Sequence, residues 1–221
     1  MFVLGLVGGV ASGKSLVAEQ LQQLGAGVLD ADRAGHEVLE EPAVKQALAA
    51  RWGQGVFDAD GRVNRRALAE IVFAPTPQAS QELAALEKIT HPRIKIVLQS
   101  RMKQMAAQGT TVVVLDAPVM FKAGWDALCD QIVFVDVPEA VRRQRAATRG
   151  WSGEEFARRE AAQELLSWKR SRADVVIDNS GTVADTRQQV AQLWNQLLHS
   201  QGGGTPHPQN QLRDQESIHS R

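Results

Sequence analysis

The stretch that decides the fold of this chain is Gly8-Gly9-Val10-Ala11-Ser12-Gly13-Lys14-Ser15. It fits the pattern G-x-x-x-x-G-K-[ST], whose glycines let backbone N–H groups approach a phosphate closely. The run 2–7 before it is short and apolar, which is typical of a buried parallel strand. Apolar residues recur after Lys14 at helical spacing until Gly25. Strand, glycine-rich turn and helix together predict a phosphate-binding loop at a helix N-terminus.

Two side chains at the end of this stretch have assigned chemistry in such a loop. Lys14 would reach the β and γ phosphates of a nucleotide, and the Ser15 hydroxyl would coordinate Mg²⁺. The alternative is a glycine-rich turn that only joins a strand to a helix. Such a turn gives no reason for a lysine directly before the serine, so the phosphate-binding interpretation is favoured.

Composition sets the class of protein. The 221 residues are enough for one α/β domain with a small inserted lobe, and the formal net charge is zero. A neutral chain gives no electrostatic argument for a nucleic acid or an anionic membrane as partner. Cys129 is the only cysteine, which excludes an internal disulfide and suits a reducing compartment.

The apolar N-terminus does not read as a signal peptide. It has no basic region before it, and cleavage would destroy the phosphate-binding motif. No stretch approaches the roughly 18 apolar residues that a membrane span requires. We therefore expect a cytoplasmic protein without membrane contact.

Further strands follow along the chain, and several end in carboxylates. The segment 26–32 predicts a short strand that ends with Asp30 and Asp32, and 110–116 predicts a central strand that ends at Asp116. The runs 131–137 and 175–178 predict two more strands. Five strands that alternate with helices predict a parallel sheet between two helical layers, with ligands at the carboxyl ends of the strands. The carboxylates should therefore share one rim with the phosphate loop.

Asp116 allows two interpretations. Its position after a β-branched strand is that of an acid which holds Mg²⁺ directly or through water. The alternative is the N-cap of a following helix.

The other segments predict helices around the sheet. Residues 33–105 read as a helical lobe that covers the site and carries the acceptor, with a break at Pro75-Thr76-Pro77. Residues 182–198 read as a closing amphipathic helix, and its predicted buried side consists of Val183, Val190, Leu193, Trp194 and Leu197. The predicted domain is 1–199, and the polar, glycine-rich tail 200–221 is expected to be disordered.

The segment 139–172 is rich in arginine and reads as a helical lid. Closing over the phosphates, it would neutralise the transferring group and exclude water. Interspersed glutamates make a solvated helical face the favoured interpretation for any one of these arginines. Nucleic-acid binding is less favoured, because the acidic residues dilute the patch and its aromatics, Trp151, Phe156 and Trp168, fit a core or a hinge better than a stacking platform.

Taken together, the motifs closely resemble the dephospho-coenzyme A kinases, over roughly 2–198. The order and spacing of many short motifs carry the resemblance: 8–15, Asp30-Ala31-Asp32, Gly61 with Arg65 and Leu68, His91-Pro92, Asp116-Ala117-Pro118, 135–137, Arg145 with Arg149, Gln163 with Lys169, and Ala173-Asp174 through Asn179 and Gly181.

The resemblance implies a three-layer P-loop kinase fold and ATP-dependent phosphorylation of the ribose 3′-hydroxyl of dephospho-coenzyme A, with Mg²⁺. It implies catalytic roles for Asp32 as general base and for Lys14 and Arg145 at the phosphates. Acceptor contacts would come from Asp32, Arg65 and His91, and metal contacts from Ser15 and Asp116. The implied ATP site comprises Gly8, Ala11, Ser12, Gly13, Lys14, Ser15, Leu16, Arg145, Asn179 and Gly181. The implied partners are ATP and dephospho-coenzyme A alone, with the chain a monomer or a weak homo-oligomer.

The chain departs from the family pattern at three positions. Leu16 stands where threonine is common, Lys122 where glutamate is usual, and Arg142 where glutamine is usual. Arg142 adds a positive charge to the predicted lid. Lys122 reverses the sign of the usual charge near the acceptor. His91 also has a structural interpretation, since a histidine before proline often begins a helix.

Two other functions fit parts of the sequence. A GTPase-type switch would use D-x-x-G, which occurs at 58–61 and 178–181, but no Asn-Lys-x-Asp follows the fourth strand to read guanine. A kinase for another acceptor, such as a nucleoside or nucleoside monophosphate, would share the phosphate loop. Assays of nucleotide exchange and of acceptor choice separate these functions.

Overall fold

A computed structural model describes residues 1–202, with side chains up to His199. Within this range the strands are β1 (Phe2–Gly8), β2 (Gly27–Asp30), β3 (Val112–Asp116), β4 (Gln131–Asp136) and β5 (Val175–Asp178). They form a parallel sheet in the order β2-β3-β1-β4-β5. The predicted five-stranded parallel sheet is confirmed, and the strand that leads into the phosphate loop is at its centre.

Helices flank this sheet on both faces. They are α1 (Lys14–Gln23), α2 (Ala31–Leu39), α3 (Pro42–Trp52), α4 (Arg65–Val72), α5 (Ala79–Ala107), α6 (Glu139–Thr148), α7 (Gly153–Ala161), α8 (Leu166–Ser171) and α9 (Val183–Gly202). The predicted break at Pro75-Thr76-Pro77 lies between α4 and α5. The predicted tail, 200–221, lies outside the described residues apart from the last turn of α9.

The two faces of the sheet have separate cores because side chains alternate along a strand. Leu4 and Leu6 of β1 pack with α1 and α9, whereas Val3 and Val7 point to the other face and pack with α2–α5. Both sets are buried, which explains why the strand is an unbroken apolar run rather than an alternating one. Each such side chain contributes about 1.5–3 kcal/mol of burial free energy.

The α9 prediction is correct for four of its five core residues. Val190, Leu193, Trp194 and Leu197 are buried, but Val183 is 49% exposed. Val183 is the first residue of the helix, before the turns that pack on the sheet, so helical spacing alone misassigned it.

The proline after His91 does not mark a helix start. Both residues lie within α5, a helix of 29 residues. Pro92 has no N–H to donate to the carbonyl four residues earlier, and the helix nevertheless continues. Burial of Thr90, Ile94, Leu98 and Met102 along one side of α5 outweighs that local loss. The interpretation of His91 as a helix-start residue is therefore wrong.

Among residues 1–202, no helix has the combination of length and apolar character that crossing a bilayer demands.

Candidate active site

The carboxyl ends of the strands form one rim, as expected for a parallel sheet. β1 ends at Gly8 and leads into the phosphate loop, 8–15. Asp30 and Asp116 end the neighbouring strands β2 and β3 and lie side by side in register. The rim therefore places carboxylates beside the phosphate loop, as the sequence predicted.

The phosphate loop has the backbone of an anion site. Ala11 and Gly13 both have positive φ, 57° and 89°, and the loop tightens through a 3.2 Å bond from Ser12 N–H to the Gly9 carbonyl. Among the described residues, the backbone N–H groups of Ala11, Gly13, Lys14 and Ser15 have no hydrogen-bond partner. Unpartnered N–H groups at a helix N-terminus attract phosphate.

The loop after β5 holds this backbone in place. The Asn179 side chain is buried, and its Nδ2 donates to the Ser12 carbonyl at 2.7 Å. The Thr186 hydroxyl donates to Asn179 Oδ1 at 2.8 Å. Arg145 donates to the Asn179 carbonyl at 2.8 Å and to the Ser12 carbonyl at 3.4 Å. A Cβ on Gly181, nearby, would lie 2.9 Å from Asp185 Oδ2, so a side chain there would require the Asp185 carboxylate to shift.

Lys14 lies among the charges of the rim. Burial lowers the pKa of its ammonium, and Asp116 and Asp32 oppose that shift while Lys169 and Arg149 add to it. No described side chain is bonded to its amine. A partly desolvated cation without a committed partner is available to a phosphate.

Asp32 belongs to a helix rather than to a strand, which corrects the prediction of a strand over 26–32. β2 ends at Asp30, whose side chain caps α2 by accepting a 2.9 Å bond from the Arg33 N–H. Asp32 is then in the first helical turn, exposed at the mouth of the site. Partial desolvation by the surrounding protein raises the pKa of its carboxyl, and the Asp30 charge raises it further.

Asp116 is the last residue of β3. It does not cap a helix, because the chain continues into turns over 118–124. Its Oδ1 is buried without a hydrogen-bond partner among the described residues, and burial raises the pKa of the carboxyl. A cavity of about 210 Å³ is lined by Ser15, Asp30 and Asp116.

This oxygen set fits Mg²⁺, which takes one or two protein oxygens and completes its shell with phosphate and water. The described residues contain no group of three or more His, Cys, Asp and Glu side chains able to hold a metal alone. The arrangement suits a metal that arrives with a nucleotide.

The two remaining residues that were predicted to contact the acceptor, Arg65 and His91, lie on α4 and α5. Arg65 begins α4, is exposed, and has no side-chain partner among the described residues. His91 stacks edge-on against Trp125, with ring centroids 5.4 Å apart. Burial lowers the pKa of His91. Within the described residues, neither side chain is bonded to Asp32.

Lys122, where glutamate is usual, has a local partner. Its Nζ donates to Glu87 Oε1 of α5 at 2.5 Å. The Glu87 carboxylate thus compensates the positive charge of Lys122. This ion pair joins the turn after β3 to α5.

Two basic residues of the segment 139–172 are buried, contrary to the interpretation of a solvated face. Arg142 and Lys169 are each 2% exposed, whereas Arg143 and Arg159 lie outside in helical ion pairs with Glu139 and Glu155. The Lys169 ammonium donates to Gln163 Oε1 at 3.0 Å and faces Glu164 at 3.3 Å. In the sequence, the only indication of this contact is that Gln163 with Lys169 is one of the motifs that carry the family resemblance. Of the lid aromatics, Phe156 is buried as expected for a core residue, and Trp168 is 41% exposed.

Comparison with known proteins gives one consistent family. A family model described as dephospho-CoA kinase matches residues 2–185. The chain is 41% identical over 209 residues to the dephospho-CoA kinase of Syntrophotalea carbinolica, covering 94% of this chain and 97% of that protein. It is 38% identical to the dephospho-CoA kinase of Symbiobacterium thermophilum, covering 92% and 84% of the two chains.

Solved structures agree with the fold. A crystal structure from Thermus thermophilus superimposes with a TM-score of 0.74 at 31% identity, covering 89% of this chain and 97% of the other. A dephospho-CoA kinase from Campylobacter jejuni gives 0.66 at 24% identity, which supports the fold. These matches cover the sheet, both helical layers and the rim described above, and the chain belongs to the dephospho-CoA kinase family.

Proposed function

We propose that this protein transfers the γ-phosphate of ATP to the 3′-hydroxyl of dephospho-coenzyme A, giving coenzyme A and ADP, with the rim residues in the roles that follow. Membership of the family supports the reaction. The observation that carries the residue assignment is the shared rim: unpartnered N–H groups of the phosphate loop, the Lys14 ammonium and the carboxylates at Asp32 and Asp116 lie at one edge of the sheet.

The donor phosphates bind at the phosphate loop. Its N–H groups and the positive end of α1 offset the negative charge, and Lys14 stabilises the charge that develops on the transferred group. Gly8, Ala11, Ser12, Gly13, Ser15 and Leu16 form this part of the site. Arg145 adds a guanidinium beside it, and the backbone around Asn179 and Gly181 is proposed to contact adenine.

The acceptor hydroxyl meets Asp32. Phosphoryl transfer needs mainly positioning and charge stabilisation, and one carboxylate removes the hydroxyl proton as the new bond forms. Asp32 is exposed, so an alcohol can reach it, and its raised pKa makes it a better base than an ordinary aspartate. Arg65 and His91 are proposed to hold the acceptor on the helical lobe, about 33–105.

Mg²⁺ is the proposed cofactor, held by the Ser15 hydroxyl and Asp116. When bound, it neutralises phosphate charge and orients the phosphate chain. The unpartnered Asp116 Oδ1 supports this assignment. The helical segment over about 139–172 is proposed as the lid that excludes water from the donor.

Several sequence predictions stay predictions: a cytoplasmic location, a monomer or weak homo-oligomer, no nucleic-acid partner, and a domain that ends near residue 199. Family membership favours the kinase over the GTPase-type switch.

The test is a coupled assay of ADP release with a panel of acceptors. We expect turnover with dephospho-coenzyme A, and none above background with nucleosides or nucleoside monophosphates. Asp32→Asn is the matched control, since it removes the base and keeps the side-chain shape. Turnover with nucleosides and none with dephospho-coenzyme A would reject the proposed acceptor.

A further inference from the structure

Arg142 is buried beneath the phosphate loop, although its helix α6 belongs to the lid. Its Nη1 donates to the Val10 carbonyl at 3.3 Å, and its Nε donates at 3.2 Å to the carbonyl of Val137, the residue directly after β4. The same Nη1 contacts Glu160 Oε2 of α7 at 2.7 Å. One guanidinium therefore joins the phosphate loop, the central sheet and two lid helices.

The bond to Val10 has a consequence for the anion site. The peptide between Val10 and Ala11 is planar, and its C=O and N–H point in opposite directions. A donor that holds the carbonyl from beneath the loop therefore directs the Ala11 N–H away from the guanidinium, and this N–H has no partner among the described residues. Ala11 also has φ of 57°, which a side-chain-bearing residue adopts only when its surroundings hold it there.

The packing around the guanidinium is specific to its shape. A Cβ on Gly9 would lie 2.7 Å from Arg142 Nη1, so the loop touches the side chain directly. The guanidinium carbon also lies 5.5 Å from the centre of the Phe156 ring, which is buried against the loop. A lysine carries the same charge but has one compact ammonium, and it cannot reproduce the planar fork that reaches two carbonyls and a carboxylate.

We propose that Arg142 is a positioning residue that holds the Val10–Ala11 peptide in its phosphate-binding orientation and couples it to the lid through Glu160. The proposal rests on the proposed function, in that the loop binds the phosphates of ATP. Arg142 is buried beneath the loop and acts on the nucleotide through the loop backbone. Arg142 thus acts as a brace between the proposed lid and the donor site.

The experiment compares Arg142→Gln, Arg142→Lys and Glu160→Gln with the control Arg143→Gln. Arg143 is the next residue of α6, bears the same charge and pairs with Glu139 at the surface. Its guanidinium carbon lies 4.8 Å from the centre of the Phe156 ring, so it shares that ring contact with Arg142 but, among the described residues, has no bond to the phosphate loop. Calorimetry measures Kd for ADP and for inorganic tripolyphosphate, which tests the loop without adenine. Kinetics give KM for ATP and for dephospho-coenzyme A, and thermal melting confirms that each variant is folded.

Arg142→Gln and Arg142→Lys should each raise Kd for both ligands, and KM for ATP, about tenfold, which corresponds to about 1.4 kcal/mol. KM for dephospho-coenzyme A should change less than about twofold, as should every constant of Arg143→Gln, since exposed pairs contribute little. Glu160→Gln keeps the bond to Val10 and should raise both Kd values about two- to threefold, which tests the coupling even if Arg142 variants fold poorly.

Two results would overturn the brace. Wild-type affinity in folded Arg142→Lys would mean that charge alone suffices, and a lower Tm with unchanged Kd in Arg142→Gln would mean a purely structural role. If the wild-type protein itself binds neither ADP nor tripolyphosphate, the proposed function fails instead.

Discussion

The Asn179 side-chain amide donates a 2.7 Å hydrogen bond to the backbone carbonyl of Ser12, 167 residues away in the chain. The bond fastens the phosphate loop to the turn after the last strand. It also holds the Ser12–Gly13 peptide so that the Gly13 N–H points to the opposite side. Arg145 shares the same carbonyl, so the loop carries a second support besides Arg142.

Replacing Asn179 should therefore weaken donor binding. Asn179→Ala removes the donor to Ser12 and leaves a buried carbonyl with only the long Arg145 bond, which costs about 1–3 kcal/mol. Asn179→Asp should be worse, because a carboxylate cannot donate and would face the Ser12 carbonyl. We expect KM for ATP to increase and Tm to decrease from the wild type to Asn179→Ala, and further to Asn179→Asp. An aspartate variant with wild-type KM and Tm would show that this bond does not support the loop.

Lys14 should matter for rate more than for folding. Lys14→Ala removes a cation that stabilises the transferred group, and the loss of one such group lowers kcat about 10²–10³-fold. Burial already lowers the pKa of Lys14, so the folded protein gains little from its charge, and Tm should change little. Rapid-quench turnover and thermal melting measure the two effects. Near-parental turnover would refute the catalytic role.

How far the sequence predicts this molecule depends on the range of each interaction. The strands, the phosphate loop and the carboxylate rim follow from local patterns: apolar runs, a glycine-lysine motif, and aspartates at strand ends. The burial of Arg142 does not follow from a local pattern. It depends on a contact with the Val10 carbonyl, 132 positions earlier in the chain. On α6 alone, an arginine beside glutamates is typical of a solvated face.

The errors at single elements have similar causes. The segment that ends in Asp32 reads as one strand, but the Asp30 side chain accepts a hydrogen bond from the Arg33 N–H and so begins α2 there. Pro92 reads as a helix boundary, but packing of α5 on α2 and α4 keeps the helix continuous. In both cases a contact outside the local pattern decides the outcome.

The activity should depend on pH through Asp32. Its carboxyl must be ionised to accept the proton, and its pKa is raised, first by desolvation and then by Asp30. On the acid side, kcat should therefore rise with pH, with a midpoint above the ordinary aspartate value of about 3.9.

Asp30→Asn tests the cause of that shift. Asparagine is as good an N-cap as aspartate, so α2 should keep its start while the repulsive charge is removed. The midpoint should then move to lower pH, as measured by kcat at saturating substrates. A midpoint that stays or moves upward would exclude Asp30 as its cause, and an unchanged acid limb in Asp32→Asn would exclude Asp32 as the base.

Asp116 should lower the stability of the nucleotide-free protein. Its Oδ1 is buried without a partner among the described residues, and burial raises the pKa of its carboxyl, so the folded state disfavours the charge. Asp116→Asn removes this charge at similar volume and should raise Tm by about 2–4 °C, equivalent to about 1 kcal/mol for a chain of this size. The same variant should need more Mg²⁺ for half-maximal rate, since a carboxylate ligand is lost. Melting without nucleotide and a Mg²⁺ titration of the rate measure both effects. A lower Tm together with an unchanged Mg²⁺ requirement would mean that Asp116 is a structural residue and that the cation is held elsewhere.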